Sequence, residues 1–139
     1  MKKFSFTLQK ILGLREFEEK EAQIELAKAI SAADVIQAEL KTIADQRLKQ
    51  SHSRSQSSDI FMLQSIEHYI QRLDLRTEEL LEDLTRAQIV IEEKRAIMAE
   101  KMKNRKVLTK LKDKKKEEHR YGVLLSEEET MDDIANSNT

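Results

Sequence analysis

The chain has 139 residues, with 25 basic and 26 acidic side chains, a net charge of −1, two glycines and no cysteine, proline or tryptophan. Hydrophobic residues make up 39% of it, charged residues 37% and aromatics 4%. So few aromatics, glycines and prolines exclude an ordinary β-protein or α/β enzyme, and the wealth of Ala, Glu, Lys, Leu, Arg and Gln points to long helices.

The first residues, Met1-Lys2-Lys3-Phe4-Ser5-Phe6, begin like the basic head of a signal peptide, but Gln9 and Lys10 interrupt the apolar stretch. Further on, the apolar run Ile60-Phe61-Met62-Leu63 is far too short to cross a bilayer. A soluble, unexported protein is expected. The lack of cysteine removes disulfides, thiolate catalysis and thiolate zinc sites, and fits a cytosolic location.

A first helix is expected over about 5–50. Its apolar positions Ala22, Leu26, Ala29, Ala33, Ile36, Leu40 and Ile43, continued by Arg47, recur at alternating steps of four and three. That mean step of 3.5 marks a seam facing a partner helix under left-handed supercoiling. Next comes a serine-rich tip over 51–58, with five serines in eight residues, a residue type that favours turns and caps over helix interiors. Ser58 or Asp59 can cap a second helix over about 59–120, whose seam runs Leu63, Ile66, Ile70, Leu73, Thr77, Leu80, Leu84, Ala87 and Ile91, with Met98 and Leu108 continuing it. Acid-before-base pairs four apart, Glu16–Lys20, Asp45–Lys49 and Glu82–Arg86, support the exposed faces.

The expected fold is therefore all-α: two long helices forming an antiparallel coiled-coil hairpin, one coiled-coil domain over 1–139, with the C-terminal helix overhanging. One uninterrupted helix that dimerises through both seams is the alternative. Placing Ile43 opposite Ile66 sets Leu40 near Tyr69 or Ile70, Ile36 opposite Leu73, Ala33 opposite Thr77 and Leu12 near Met98. At 1.5 Å per residue the hairpin would be about 70 Å long. In that register the first helix runs out near residues 101–105, leaving a basic overhang with Lys101, Lys103, Arg105, Lys106, Lys110, Lys112, Lys114, Lys115, Lys116 and Arg120 against only Asp113, Glu117 and Glu118. An acidic tail follows over 121–139, containing Glu127-Glu128-Glu129 and Asp132-Asp133.

No catalytic, cofactor or metal site is expected. His52, His68 and His119 have no spacing for a metal or a triad, and there is no glycine-rich phosphate loop. The lysine run reads as a solvated face, as a track for nucleic-acid phosphates, or as a dock for an acidic protein surface. Against nucleic acid, no aromatics interleave it and acids lie close by.

The opening Phe4-Ser5-Phe6-Thr7-Leu8-Gln9-Lys10-Ile11-Leu12-Gly13-Leu14-Arg15-Glu16, followed by Glu19, Ala22, Glu25-Leu26-Ala27 and Ala29, resembles the start of the FliJ family of flagellar type III export proteins. Leu108, Leu111-Lys112, the stretch 114–118, and Glu127-Glu128 through Asp132-Asp133-Ile134-Ala135 are similar to that family's closing pattern, so the resemblance covers nearly the whole chain. It implies a non-enzymatic coiled coil similar to the central stalk of rotary ATPases, whose paired termini enter a hexameric flagellar export ATPase and promote ring assembly. It also implies links to a membrane export gate protein and to export chaperones. The implied location is cytoplasmic, peripheral to the inner face of the cell membrane at the flagellar base, in flagellum biogenesis, motility and chemotaxis.

On that resemblance the expected ring contacts are Phe4, Phe6, Leu8, Leu12, Arg15, Lys112, Lys116 and Asp132, with coiled-coil packing as the rival reading for Leu8 and Leu12. Tyr69-Ile70-Gln71-Arg72-Leu73 is similar to the family's gate-docking segment, which makes Tyr69 and Leu73 docking candidates. Leu73 also lies in the seam, so packing is the rival there, and Arg76 is charged where the family tends to be small and apolar. No small-molecule substrate and no nucleic acid are expected as partners. An equivalent stalk of a virulence secretion system, or a generic coiled-coil scaffold or nucleic-acid-associated protein, are the alternatives.

Overall fold

The structure is a computed structural model that describes residues 3–137. Two helices account for almost all of it, α1 (Gln9–Gln56) and α2 (Ile60–Ser137), joined by three residues. The chain divides into two compact units, one of Met1–Ala22 with Met98–Thr139 and one of Gln23–Ile97.

In the Gln23–Ile97 unit the chain doubles back, and antiparallel segments of α1 and α2 pack through the expected seams. Leu26, Ala29, Ala33, Ile36, Leu40 and Ile43 of α1 are buried or half-buried, as are the nine α2 seam positions from Leu63 to Ile91. Ile43, Leu73 and Leu80 form the tightest cluster, with Ile36, Leu40 and Tyr69 against it. Leu80 is 2% exposed; burying a leucine side chain this fully stabilises by about 1.5–3 kcal/mol. Arg47 departs from the expected seam. It is exposed, and its Nε donates to Asp74 Oδ1 at 2.7 Å across the pair.

The tip is shorter and later than the serine content suggests. Helix α1 continues through Gln56, so of the stretch 51–58 only Ser57 and Ser58 leave the helix. Each serine costs only about 0.5 kcal/mol relative to alanine. Cross-helix contacts accompany the continued helix, with Arg54 Nη1 donating to Glu67 Oε2 at 2.9 Å and Gln50 and Ser51 half-buried. Asp59 caps α2, its carboxylate accepting the Phe61 amide at 3.0 Å. No described residue has positive φ, so the turn closes without a glycine.

Moving the turn moves the register. Asp74 would lie opposite Val35 in the expected pairing but binds Arg47 instead, and Glu39 binds Arg76 rather than lying opposite Ile70. The shift is about two to three helical turns. The C-terminal boundary changes as well. Helix α2 does not stop near 120 but runs on through the acidic stretch to Ser137, because Gly122 is its only poor helix former of note and no proline intervenes. Asn138 and Thr139 of the expected tail lie outside the described residues.

Candidate functional site at the paired termini

The Met1–Ala22 and Met98–Thr139 unit has a different interior. Tracing the α1 seam back from Ala22 in steps of three and four reaches Glu19, Arg15, Leu12 and Leu8, and all four are buried or half-buried. Leu12 is 2% exposed and Glu19 8%. Glu19 accepts two hydrogen bonds from one guanidinium, Arg105 Nε to Oε2 at 2.7 Å and Nη2 to Oε1 at 3.2 Å. This bidentate pairing is the strong form of a carboxylate–arginine contact. The Arg105 hydrogen bonds hold the Glu19 carboxyl below its usual range. Beside it, Glu18 receives Arg15 at 3.1 Å and faces Lys101 at 3.8 Å. The seam here is ionic where the other unit's seam is apolar.

Before α1 begins, residues 3–8 alternate between the two environments. Phe4, Phe6 and Leu8 are half-buried while Lys3, Ser5 and Thr7 are exposed, and a turn closed by the Gln9 amide donating to the Phe6 carbonyl at 3.1 Å leads into α1. The Phe4 ring tilts against His119 with centroids 5.6 Å apart. Leu8, Leu111 and Lys115 share a groove with these two rings.

These contacts overturn the expected basic overhang. Lys101 and Arg105 are engaged by Glu18 and Glu19, and the N-terminal segment reaches α2 as far as His119. The register accounts for it: from the Glu19–Arg105 pair to the Phe4–His119 contact the chain moves 15 residues back on one side and 14 forward on the other, so the N-terminal segment continues the same pairing. The part of α2 left without such cover begins near Val123 and is acidic.

Of the expected ring contacts, Phe4, Phe6, Leu8, Leu12, Arg15, Lys112 and Lys116 come together in this unit. Leu12 is fully packed, Arg15 and Lys112 are half-buried, and Lys116 is exposed. Asp132 belongs to the same unit but is exposed on the bare acidic portion of α2. The gate-docking candidates lie in the other unit. Leu73 is 7% exposed within the Ile43 and Leu80 cluster, so packing accounts for it. Tyr69 is half-buried with the Arg72 guanidinium 5.4 Å from its ring centre. Arg76 is occupied by Glu39 and Glu79 at 3.0 Å each.

The ionic seam is the feature that sequence reasoning missed. Its signal was present: the same three-and-four stepping continues N-terminal to Ala22, onto charged residues. Among the described residues there is no cluster of acids and histidines able to hold a metal ion, and no helix is long and apolar enough to cross a membrane.

The sequence model of one family, described as "Flagellar FliJ protein", matches residues 4–139. No curated protein and no solved structure gives a significant match.

Proposed function

The chain belongs to the FliJ family, and from that membership we propose that it is a stalk-like subunit for the hexameric flagellar export ATPase. A flagellar-export protein of a non-catalytic family has to act by binding. On this reading the terminal unit enters the ring, with Phe4, Phe6 and Leu8 beside the charged face carrying Lys112 and Lys116. A helix pair placed in a six-membered ring cannot meet all six subunits alike. Whichever subunit state it binds better is enriched, and closure of the ring around it is promoted. The proposal extends to an export gate protein of the membrane and to export chaperones, and places the protein at the inner face of the cell membrane. At the gate, the exposed edge of Tyr69 makes the contact while buried Leu73 holds Tyr69 in position.

The observation that carries this reading is the convergence of the N-terminal Phe4 and Phe6 with the basic part of α2 in one unit. ATP hydrolysis by the cognate export ATPase, titrated with the full chain and with a Lys112→Glu/Lys116→Glu variant, is the test. Stimulation by the full chain that the variant loses supports the reading. Equal stimulation by both removes this face from the contact, and no stimulation by either removes the stalk role.

A further inference from the structure

The C-terminal part of α2 carries a face that none of these contacts use. Leu108, Lys112, His119 and Val123 are half-buried and mark the side turned toward the rest of the unit. On the other side Val107, Tyr121, Leu124, Leu125 and Met131 are 59%, 65%, 52%, 41% and 71% exposed. At 3.6 residues per turn, Lys110, Lys114, Glu128 and Asp132 all project within about 20° of Tyr121, and Val107, Glu117, Leu125 and Ala135 within about 40°. The half-buried residues project on the opposite side.

This outer face is self-complementary. Tyr121 lies midway between Lys114 and Glu128, and midway between Lys110 and Asp132. Turned end over end about Tyr121, the face sets Lys110 against Asp132 and Lys114 against Glu128, while Val107 falls opposite Ala135 and Leu125 opposite the stem of Glu117. We propose that a second copy of this chain docks here, antiparallel, with a two-fold axis at Tyr121. Such an axis gives the isologous pairing in which one patch serves both partners.

The charges select that occupant. A uniformly basic partner helix would be repelled by Lys110 and Lys114, and a uniformly acidic one by Glu128 and Asp132. Only a partner basic on one side of its centre and acidic on the other suits both halves, and an identical chain is one. Lys110, Lys114, Glu128 and Asp132 make no ion pair within the chain among the described residues, so they are available. The pairing covers the exposed Tyr121 and Leu125 at its centre. With few apolar residues and solvent-exposed charges, it is weak and salt-sensitive.

Sedimentation of the full chain tests it. The wild type doubles in mass with rising concentration at low salt and returns to a monomer at high salt. A Lys110→Glu/Lys114→Glu variant has an acidic face throughout and stays monomeric; a Glu128→Lys/Asp132→Lys variant has a basic one and does the same. Mixed, the two variants form a dimer with each other. A wild type that is monomeric at every concentration overturns the proposal, as does a dimer that either variant retains alone. Because the chain has no cysteine, Tyr121→Cys gives a second readout. Under mild oxidation it forms a disulfide-linked dimer that Phe61→Cys does not, and equal yields from both positions refute the two-fold at Tyr121.

Discussion

Glu19 and Arg105, 86 positions apart in sequence, close a bidentate ion pair at 2.7 and 3.2 Å inside the seam of the terminal unit. Glu19 occupies a position that would be apolar in an uninterrupted coiled coil. The pair therefore distinguishes the register observed from registers slipped by a heptad, which would leave the Glu19 carboxylate in the seam without its partner.

The pair makes stability depend on acid. The Glu19 carboxyl is held below its ordinary value by the Arg105 hydrogen bonds, and Asp74 is lowered in the same way by Arg47. A depressed carboxyl contributes stability that is present above its unfolded pKa and is lost as pH falls through the folded one. Urea unfolding followed by circular dichroism is expected to show stability declining as the pH drops below about 4.5. Glu19→Gln should be less stable than wild type at pH 7 and should show a smaller acid decline. An acid decline undiminished in Glu19→Gln would assign the effect to other carboxylates.

The two glycines are expected to cost stability without serving the fold. Both lie inside helices, neither has positive φ, and a Cβ added at either meets nothing within 4 Å. Gly13→Ala and Gly122→Ala should each stabilise by about 0.5–1 kcal/mol in urea unfolding. A loss on either substitution would show that the open space is filled by a contact in solution.

Packing in the Gln23–Ile97 unit is expected to be concentrated at a few seam positions. Leu80→Ala should cost about 2–5 kcal/mol, since Leu80 is 2% exposed against Ile43 and Leu73. Phe61→Ala, at a residue 81% exposed, should change stability by less than about 0.5 kcal/mol. Similar losses at both would contradict the seam assignment.

The seam was legible because apolar residues recur at a 3.5 period along both helices, and every position from Leu26 to Ile43 and from Leu63 to Ile91 read from that period is buried or half-buried. The register was not legible, because it depends on where the chain turns. Local serine propensity marked 51–58, whereas α1 runs to Gln56, with Arg54 paired to Glu67 across the turn. That tertiary contact joins residues on opposite sides of the turn, and periodicity along one helix carries no trace of it. The sign of the exposed C-terminal segment followed from the register and changed with it. Phe4 and Phe6 were singled out by resemblance, but the contact of Phe4 with His119 follows from the register that also pairs Glu19 with Arg105, which periodicity along one helix does not fix.

At the proposed gate-docking ridge, stability and recognition can be tested separately. Tyr69→Ala exposes the edge of the Ile43 cluster and removes the Arg72 contact, while Leu73→Ala opens the cluster itself. In thermal unfolding Leu73→Ala should lower the midpoint more than Tyr69→Ala. In pull-down with the cognate export gate protein Tyr69→Ala should lose more binding than its stability loss explains. Binding losses that simply track stability would remove Tyr69 from the proposed contact.

The most direct measurement is cross-linking from single cysteines placed in this cysteine-free chain. Lys116→Cys, in the terminal unit, and His52→Cys, near the end of α1, are each labelled with a photo-reactive group and mixed with the cognate export ATPase and nucleotide. A cross-link to the ATPase from position 116 and none from position 52 is the result expected of a terminal unit seated in the ring. Cross-linking from position 52 alone, with position 116 silent, would contradict it.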